Sequence, residues 1–212
     1  MHPLGSAVST TARRCGTLAP MRLFIGIALA PEAAAALLRI RDQFAGASAD
    51  LRWSDPAGWH VTLQFLGSTS DEQLNCLTSG LAAIGASGVQ AAQAPVRIAG
   101  LDFFERAGIF FAGVSLTPEL LGLQQHVTAA TRPCGFTPEA RPYHPHITLA
   151  RTKGRAGSKA LIPLKRAVEK SRAALDAAFT ADEFLLYESV PGPDGSRYEV
   201  RARFPLAKKT GE

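Results

Sequence analysis

Two short stretches decide the reading of this chain: His60-Val61-Thr62-Leu63 and His146-Ile147-Thr148-Leu149. Each follows a segment expected to be helical, and each has the alternation of a β-strand. Side chains on a strand point to opposite faces in turn. His60 and Thr62 therefore share one face, while Val61 and Leu63 turn into a core; His146 and Thr148 stand in the same way against Ile147 and Leu149. A single His-x-Thr is usually a satisfied surface or core histidine. Two copies, both closed by leucine and both on expected strands, suggest a duplicated lobe whose copies face each other across a shared cleft. Sequence similarity outside the tetrads is weak.

Outward from the tetrads, apolar β-rich runs alternate with amphipathic segments. Arg22 to Leu29 reads as a buried strand, and Pro31-Glu32 opens a helix to about Phe44, with proline and an acid in the first turn. Leu51-Arg52-Trp53 is a short strand. Trp59 to Leu66 is the strand of the first tetrad, stopped by Gly67. Asp71-Glu72 begins a second helix, to about Ile84. Val96 to Phe104 and Gly108 to Leu116 look like paired strands, and Thr117-Pro118-Glu119 caps a third helix. A strand begins near His146. Leu161 to Leu175 is expected to be a basic helix, preceded by a loop around Gly154, Gly157 and Ser158. Thr180 to Ser189 and Arg197 to Phe204 form two strands about the hairpin-type turn Pro191-Gly192-Pro193-Asp194-Gly195. Tight turns mixed with helical crossovers point to an α+β chain.

The bulk numbers agree. A chain of 212 residues, 46% hydrophobic and 19% charged, can bury a sizeable core. No apolar run approaches the ~20 residues of a membrane span. The net charge of +5 suits a polyanionic partner but is also an ordinary surface balance. Cys15, Cys76 and Cys134 are few and far apart, with no CxxC pair, so reduced thiols in a cytoplasmic protein are expected. Residues 1–20 lack a secretory signal's apolar stretch and read as a tail ahead of Met21.

The paired tetrads carry a chemistry. One imidazole can take a proton from an attacking water and the other can give one to a leaving oxygen, since histidine titrates near neutrality. Each threonine hydroxyl can donate to a non-bridging phosphate oxygen as its charge rises. Arg151 follows His146 by five residues and is a phosphate ligand candidate. Strict alternation turns it away from His146, although strand ends often twist or bulge. Trp53 and Phe24 are candidates to stack on a terminal base, against the plainer expectation that both are core residues. His144, two residues before His146, is either a brace for the strand or, with His60 and His146, part of a three-histidine zinc site. No nearby carboxylate would orient such a site. From Arg151 to Arg172 eight basic residues meet one acid, Glu169, a run that is commonly a solvated face and that can guide an RNA backbone.

HVTLQFLG and HPHITLAR resemble the paired signatures of the two-histidine phosphoesterase superfamily, and within it the RNA 2′,3′-cyclic phosphodiesterases, also called 2′-5′ RNA ligases. MRLFIGIALAP at Met21, the LRW before the first motif, LLYES from Leu185 and the late RFPL also look familial. The resemblance covers about Met21 to Leu206. It implies a bilobal α+β fold, with two antiparallel sheets flanked by helices, a pseudo-two-fold duplication and a central cleft. A single domain at 21–207 would lie between tails at 1–20 and 208–212. It implies hydrolysis of RNA 2′,3′-cyclic phosphate ends to 2′-phosphates, with a reverse 2′-5′ joining reaction, and neither metal nor cofactor. His60 would be the proton donor, His146 the proton acceptor, and Thr62 and Thr148 the phosphate-holding hydroxyls. Small cyclic nucleotides and 2′-5′ oligonucleotides remain alternative substrates, and a non-catalytic RNA-binding module is the alternative outside enzymes. A monomer is the default.

Overall fold

The computed structural model describes residues 21–86, 93–171, 175–192 and 195–207. The two terminal tails, part of the basic run and the tip of the last turn lie outside them. The first half contributes β1 (Met21–Ala28), α1 (Pro31–Phe44), β2 (Leu51–Trp53), β3 (His60–Thr69), α2 (Asp71–Ala86) and β4 (Ala94–Phe104). The second contributes β5 (Ile109–Val114), α3 (Pro118–Thr131), β6 (His146–Thr152), α4 (Ile162–Lys170), β7 (Asp176–Ala181), β8 (Glu183–Val190) and β9 (Arg197–Pro205). Two antiparallel sheets result, in the orders β3-β1-β8-β9 and β2-β6-β5-β4-β7.

The duplication is visible in these orders. β3-β1-β8-β9 in the first sheet corresponds to β6-β5-β4-β7 in the second, with β2 added outside β6. Strands β3 and β6, which carry the two tetrads, come into contact where the sheets meet. The halves are interwoven. α1 leaves the first sheet but lays Phe44 on Phe110 of β5, in the second. α3 leaves the second but binds the first, where the Thr131 hydroxyl donates to Gln64 Oε1 of β3 at 2.9 Å.

Local chemistry accounts for the helices. In α1, Ala33, Leu37, Ile40 and Phe44 recur at helical spacing and are all buried. In α3, the Thr117 side chain accepts from the Leu120 N–H and Pro118 occupies the first turn, as expected. One continuous apolar core lies between helices and sheets. A separate small cluster, Phe24, Leu185 and Tyr187, lies on the opposite face of the first sheet.

Four sequence expectations are corrected. Gly67 does not stop β3; its φ of 74° makes an irregularity that the strand passes through to Thr69. The stretch read as one strand from Thr180 splits at Asp182 into β7 and β8, which belong to different sheets. Alternation alone does not reveal such a sheet change. The basic helix is shorter than expected: Gly154–Leu161 winds as a 3-10 segment and α4 ends at Lys170. Finally, Cys76 and Cys134 are not free thiols. They form a disulfide between α2 and the turn after α3, across 58 residues of sequence. The pairing depends on how α2 packs on α3, which cysteine spacing does not encode.

Candidate active site in the cleft

His60 and His146 open their strands and are held alike. His60 Nδ1 lies 2.7 Å from the carbonyl of Gly58, and His146 Nδ1 lies 2.8 Å from the carbonyl of His144, in each case two residues upstream. A carbonyl only accepts, so Nδ1–H donates in both rings. Nε2 is then the basic nitrogen of each neutral imidazole. His144 thus braces His146 through its backbone, and its ring lies against Phe104 and Phe111.

The surroundings of the two rings differ. His60 is enclosed by Phe24, with ring centroids 4.5 Å apart, and by Tyr187 and Tyr198 at 5.7 and 5.1 Å. Burial among these rings disfavours the imidazolium and brings the pKa down to about 4; the charges of His146 and Arg151 push the same way, against the Gly58 bond. His146 stands edge-on to Phe104 and Phe111. Its pKa is also lowered, first by burial; the bond to the His144 carbonyl opposes this, and the charges of His144 and Arg151 add to it. Gly26, beside the first tetrad, leaves room for the His60 ring: a Cβ there would lie 2.9 Å from the Val61 carbonyl oxygen and 3.4 Å from His60 Cδ2.

A bulge resolves the position of Arg151. Thr148 pairs with Phe111, but Ala150 pairs with Phe110, so Leu149 is the extra residue. Leu149 and Ala150 are both buried, and the alternation resumes one step out of phase. Arg151 therefore returns to the face of His146 and Thr148, close enough for its charge to be felt by both histidines. The first tetrad repeats the device. Thr62 pairs with Gly26 and Gln64 with Ile25, Leu63 is skipped, and Phe65 takes the place that Arg151 has in the second copy.

Thr62 and Thr148 lie on the histidine faces of their strands. Among the described residues neither hydroxyl has a hydrogen-bond partner. The Thr62 carbonyl accepts from the Tyr143 hydroxyl at 3.0 Å, which ties the approach to β6 onto β3. Of the two stacking candidates, Phe24 is beside His60 but only 3% exposed. Trp53 lies elsewhere: it packs edge-on against Phe110 at 5.9 Å, on the core side of the second sheet. The plainer expectation for it holds.

Several neighbours of the histidines were not singled out from sequence. Phe65, Tyr198 and Val200 are 57%, 36% and 42% exposed on the face that carries His60. Phe65 was findable, since it follows His60 by the same five residues that separate Arg151 from His146. Tyr198 arrives from a distant hairpin and carries no local signal. Among the described residues no three His, Cys, Asp or Glu side chains gather closely enough to hold a metal ion, so His60, His144 and His146 do not form a ligand set. Nor, among those residues, is any helix long and apolar enough to cross a membrane.

The arrangement supplies two imidazoles able to exchange protons, two hydroxyls and a guanidinium, set about one cleft. A family model described as the 2′-5′ RNA ligase superfamily matches residues 29–192. The RNA 2′,3′-cyclic phosphodiesterase of Geobacillus stearothermophilus is 31% identical over 191 residues, covering 86% of this chain and 56% of that protein. This chain thus spans about half the length of that relative. The proteins of the same name from Aeropyrum pernix and Bacillus subtilis are 28% and 27% identical, over 78% and 74% of this chain and 94% and 81% of theirs. Among solved structures, Escherichia coli LigT complexed with 3′-AMP superposes with a TM-score of 0.71 at 22% identity, covering 89% of this chain and 99% of that one. TT0787 of Thermus thermophilus gives 0.71 at 24%, covering 89% and 100%. These structures share the fold. The chain belongs to the 2′-5′ RNA ligase superfamily.

Proposed function

Taking membership of that superfamily as the premise, we propose that this chain is an RNA 2′,3′-cyclic phosphodiesterase that opens cyclic phosphate ends to 2′-phosphates by acid–base catalysis between His60 and His146, without a metal. One observation carries the reading: two histidines with the same Nδ1-to-carbonyl tether stand on the same cleft as a shared arginine. The names of three relatives point to the same reaction.

The steps follow from the tethers. Neutral His146 takes a proton from water at Nε2 as the water oxygen attacks phosphorus. The bond from phosphorus to O3′ breaks, and His60 delivers a proton from Nε2 to O3′, leaving the phosphate on O2′. His60 must be protonated to do this, yet its pKa in the free protein is about 4. The phosphodiester anion supplies the missing opposite charge and raises it on binding. Thr62, Thr148 and Arg151 offset the charge that grows on the non-bridging oxygens. With the 5′-hydroxyl of a second RNA end in place of water, His146 taking its proton and His60 again protonating the departing O3′, the same groups would join the ends through a 2′-5′ phosphodiester.

The test is product analysis. An RNA ending in a 2′,3′-cyclic phosphate is incubated with the protein in excess EDTA, and the terminal phosphate is mapped. A 2′-phosphate is expected. A 3′-phosphate, or activity only on restoring a divalent metal, overturns the reading.

A further inference from the structure

Among the described residues Arg97, Arg201 and Arg203 pair with Asp176, Glu188 and Glu183, while the strand arginines Arg22, Arg52, Arg151 and Arg197 have no carboxylate partner. Two of these four, Arg52 and Arg151, lie on the second sheet. They are also a structural pair. β2 lies along the outer side of β6 and sets Arg52 directly across from Arg151. Directly opposed residues of an antiparallel pair share a face. Arg52 therefore stands on the cleft side, one strand farther from the histidines.

Its position is fixed from both ends. On the other face of β2, Leu51 is buried and Trp53 packs on Phe110. Ahead of it, the β8–β9 hairpin curls back over the β2–β3 connection. Arg52 Cζ lies 3.3 Å from where a Cβ on Gly195 would sit, and the Tyr198 ring lies 3.0 Å from the same point on Gly58. The guanidinium is thus exposed beside Gly195, and among the described residues it has no ion pair.

We propose that Arg52, next to Arg151, forms a subsite for the backbone phosphate of the nucleotide that precedes the cyclic end. The proposal rests on reading the cleft as a cyclic phosphodiesterase site. Arg151 serves the reacting phosphate. Arg52 is about 5 Å farther out, one strand spacing, which is close to one nucleotide step along a single strand. A free guanidinium grips a phosphate through two parallel N–H bonds. A cyclic mononucleotide has no second phosphate to offer it, so Arg52 is a specificity residue that favours RNA ends over free cyclic nucleotides.

The experiment compares Arg52→Gln with the parent protein on two substrates: a short RNA with a 2′,3′-cyclic end and a mononucleotide 2′,3′-cyclic phosphate. With RNA, kcat/KM is expected to fall about tenfold, the weight of one charge-assisted contact, and its dependence on log salt to flatten by about 0.7. With the mononucleotide it stays within about twofold of the parent value on the same scale. Arg52→Lys, which keeps the charge and loses the fork, should recover the salt dependence but only part of the rate. Equal loss on both substrates, or no loss on RNA, overturns the subsite and leaves the cleft chemistry standing. A parent protein that turns over neither substrate removes both.

Discussion

At the scale of single residues, the site is a matter of where protons sit. The unfolded chain protonates His60 near pH 6.5, and the fold protonates it only near pH 4. Between those values the unfolded state holds more protons, so stability rises with pH and is lost as pH falls from 6.5 towards 4. His146 is shifted in the same direction. From His60 alone the protein should be less stable at pH 5 than at pH 7 by at most about 2 kcal/mol. Urea unfolding at the two pH values checks this, with His60→Gln losing that part of the difference. An unchanged pH dependence in the variant would mean that the folded cage does not disfavour the imidazolium. Both histidines and both threonines were legible in the sequence because alternation pairs an imidazole with a hydroxyl. The cage itself was not. Tyr187 and Tyr198 come from strands more than a hundred residues downstream of His60, and only the hairpin geometry brings them to it.

At the scale of elements, two departures from regular structure do the positioning. The bulges at Leu63 and Leu149 reset the alternation, and so turn Phe65 and Arg151 towards the cleft. Sequence allowed for such a bulge near Arg151 but could not locate it, since the extra residue is defined by hydrogen-bond register with a neighbouring strand. The other element-level surprise is the disulfide from Cys76 of α2 to Cys134 beyond α3. It lies in the helical layer over the first sheet, next to Gln73, whose amide donates to the Cys134 carbonyl. By restricting the unfolded chain it should contribute about 4 kcal/mol. A Cys76→Ser, Cys134→Ser variant should therefore melt roughly 8–16 °C lower. Its turnover at a temperature well below melting should be unchanged, because the bridge touches neither histidine. A loss of turnover by that fully folded variant would show that the α2–α3 packing reaches the cleft.

At the scale of the whole molecule, the repeated tetrad announced a duplication, and the two sheets repeat one strand order. What the sequence could not convey is that the halves are interwoven, with α1 and α3 each covering the sheet that the other left. That exchange depends on tertiary packing, such as Phe44 on Phe110 and Thr131 on Gln64, between residues far apart in the chain. It also explains why His60 and His146 belong to one site: β3 and β6 meet only because the lobes are built into each other. The claim that these two histidines act as acid and base is tested most directly by single-turnover rates on an RNA 2′,3′-cyclic end. His60→Ala and His146→Ala should each be slower than the parent by about 10²–10⁴-fold while still binding the RNA. A fully folded variant of either kind that retains the parent rate would contradict the account.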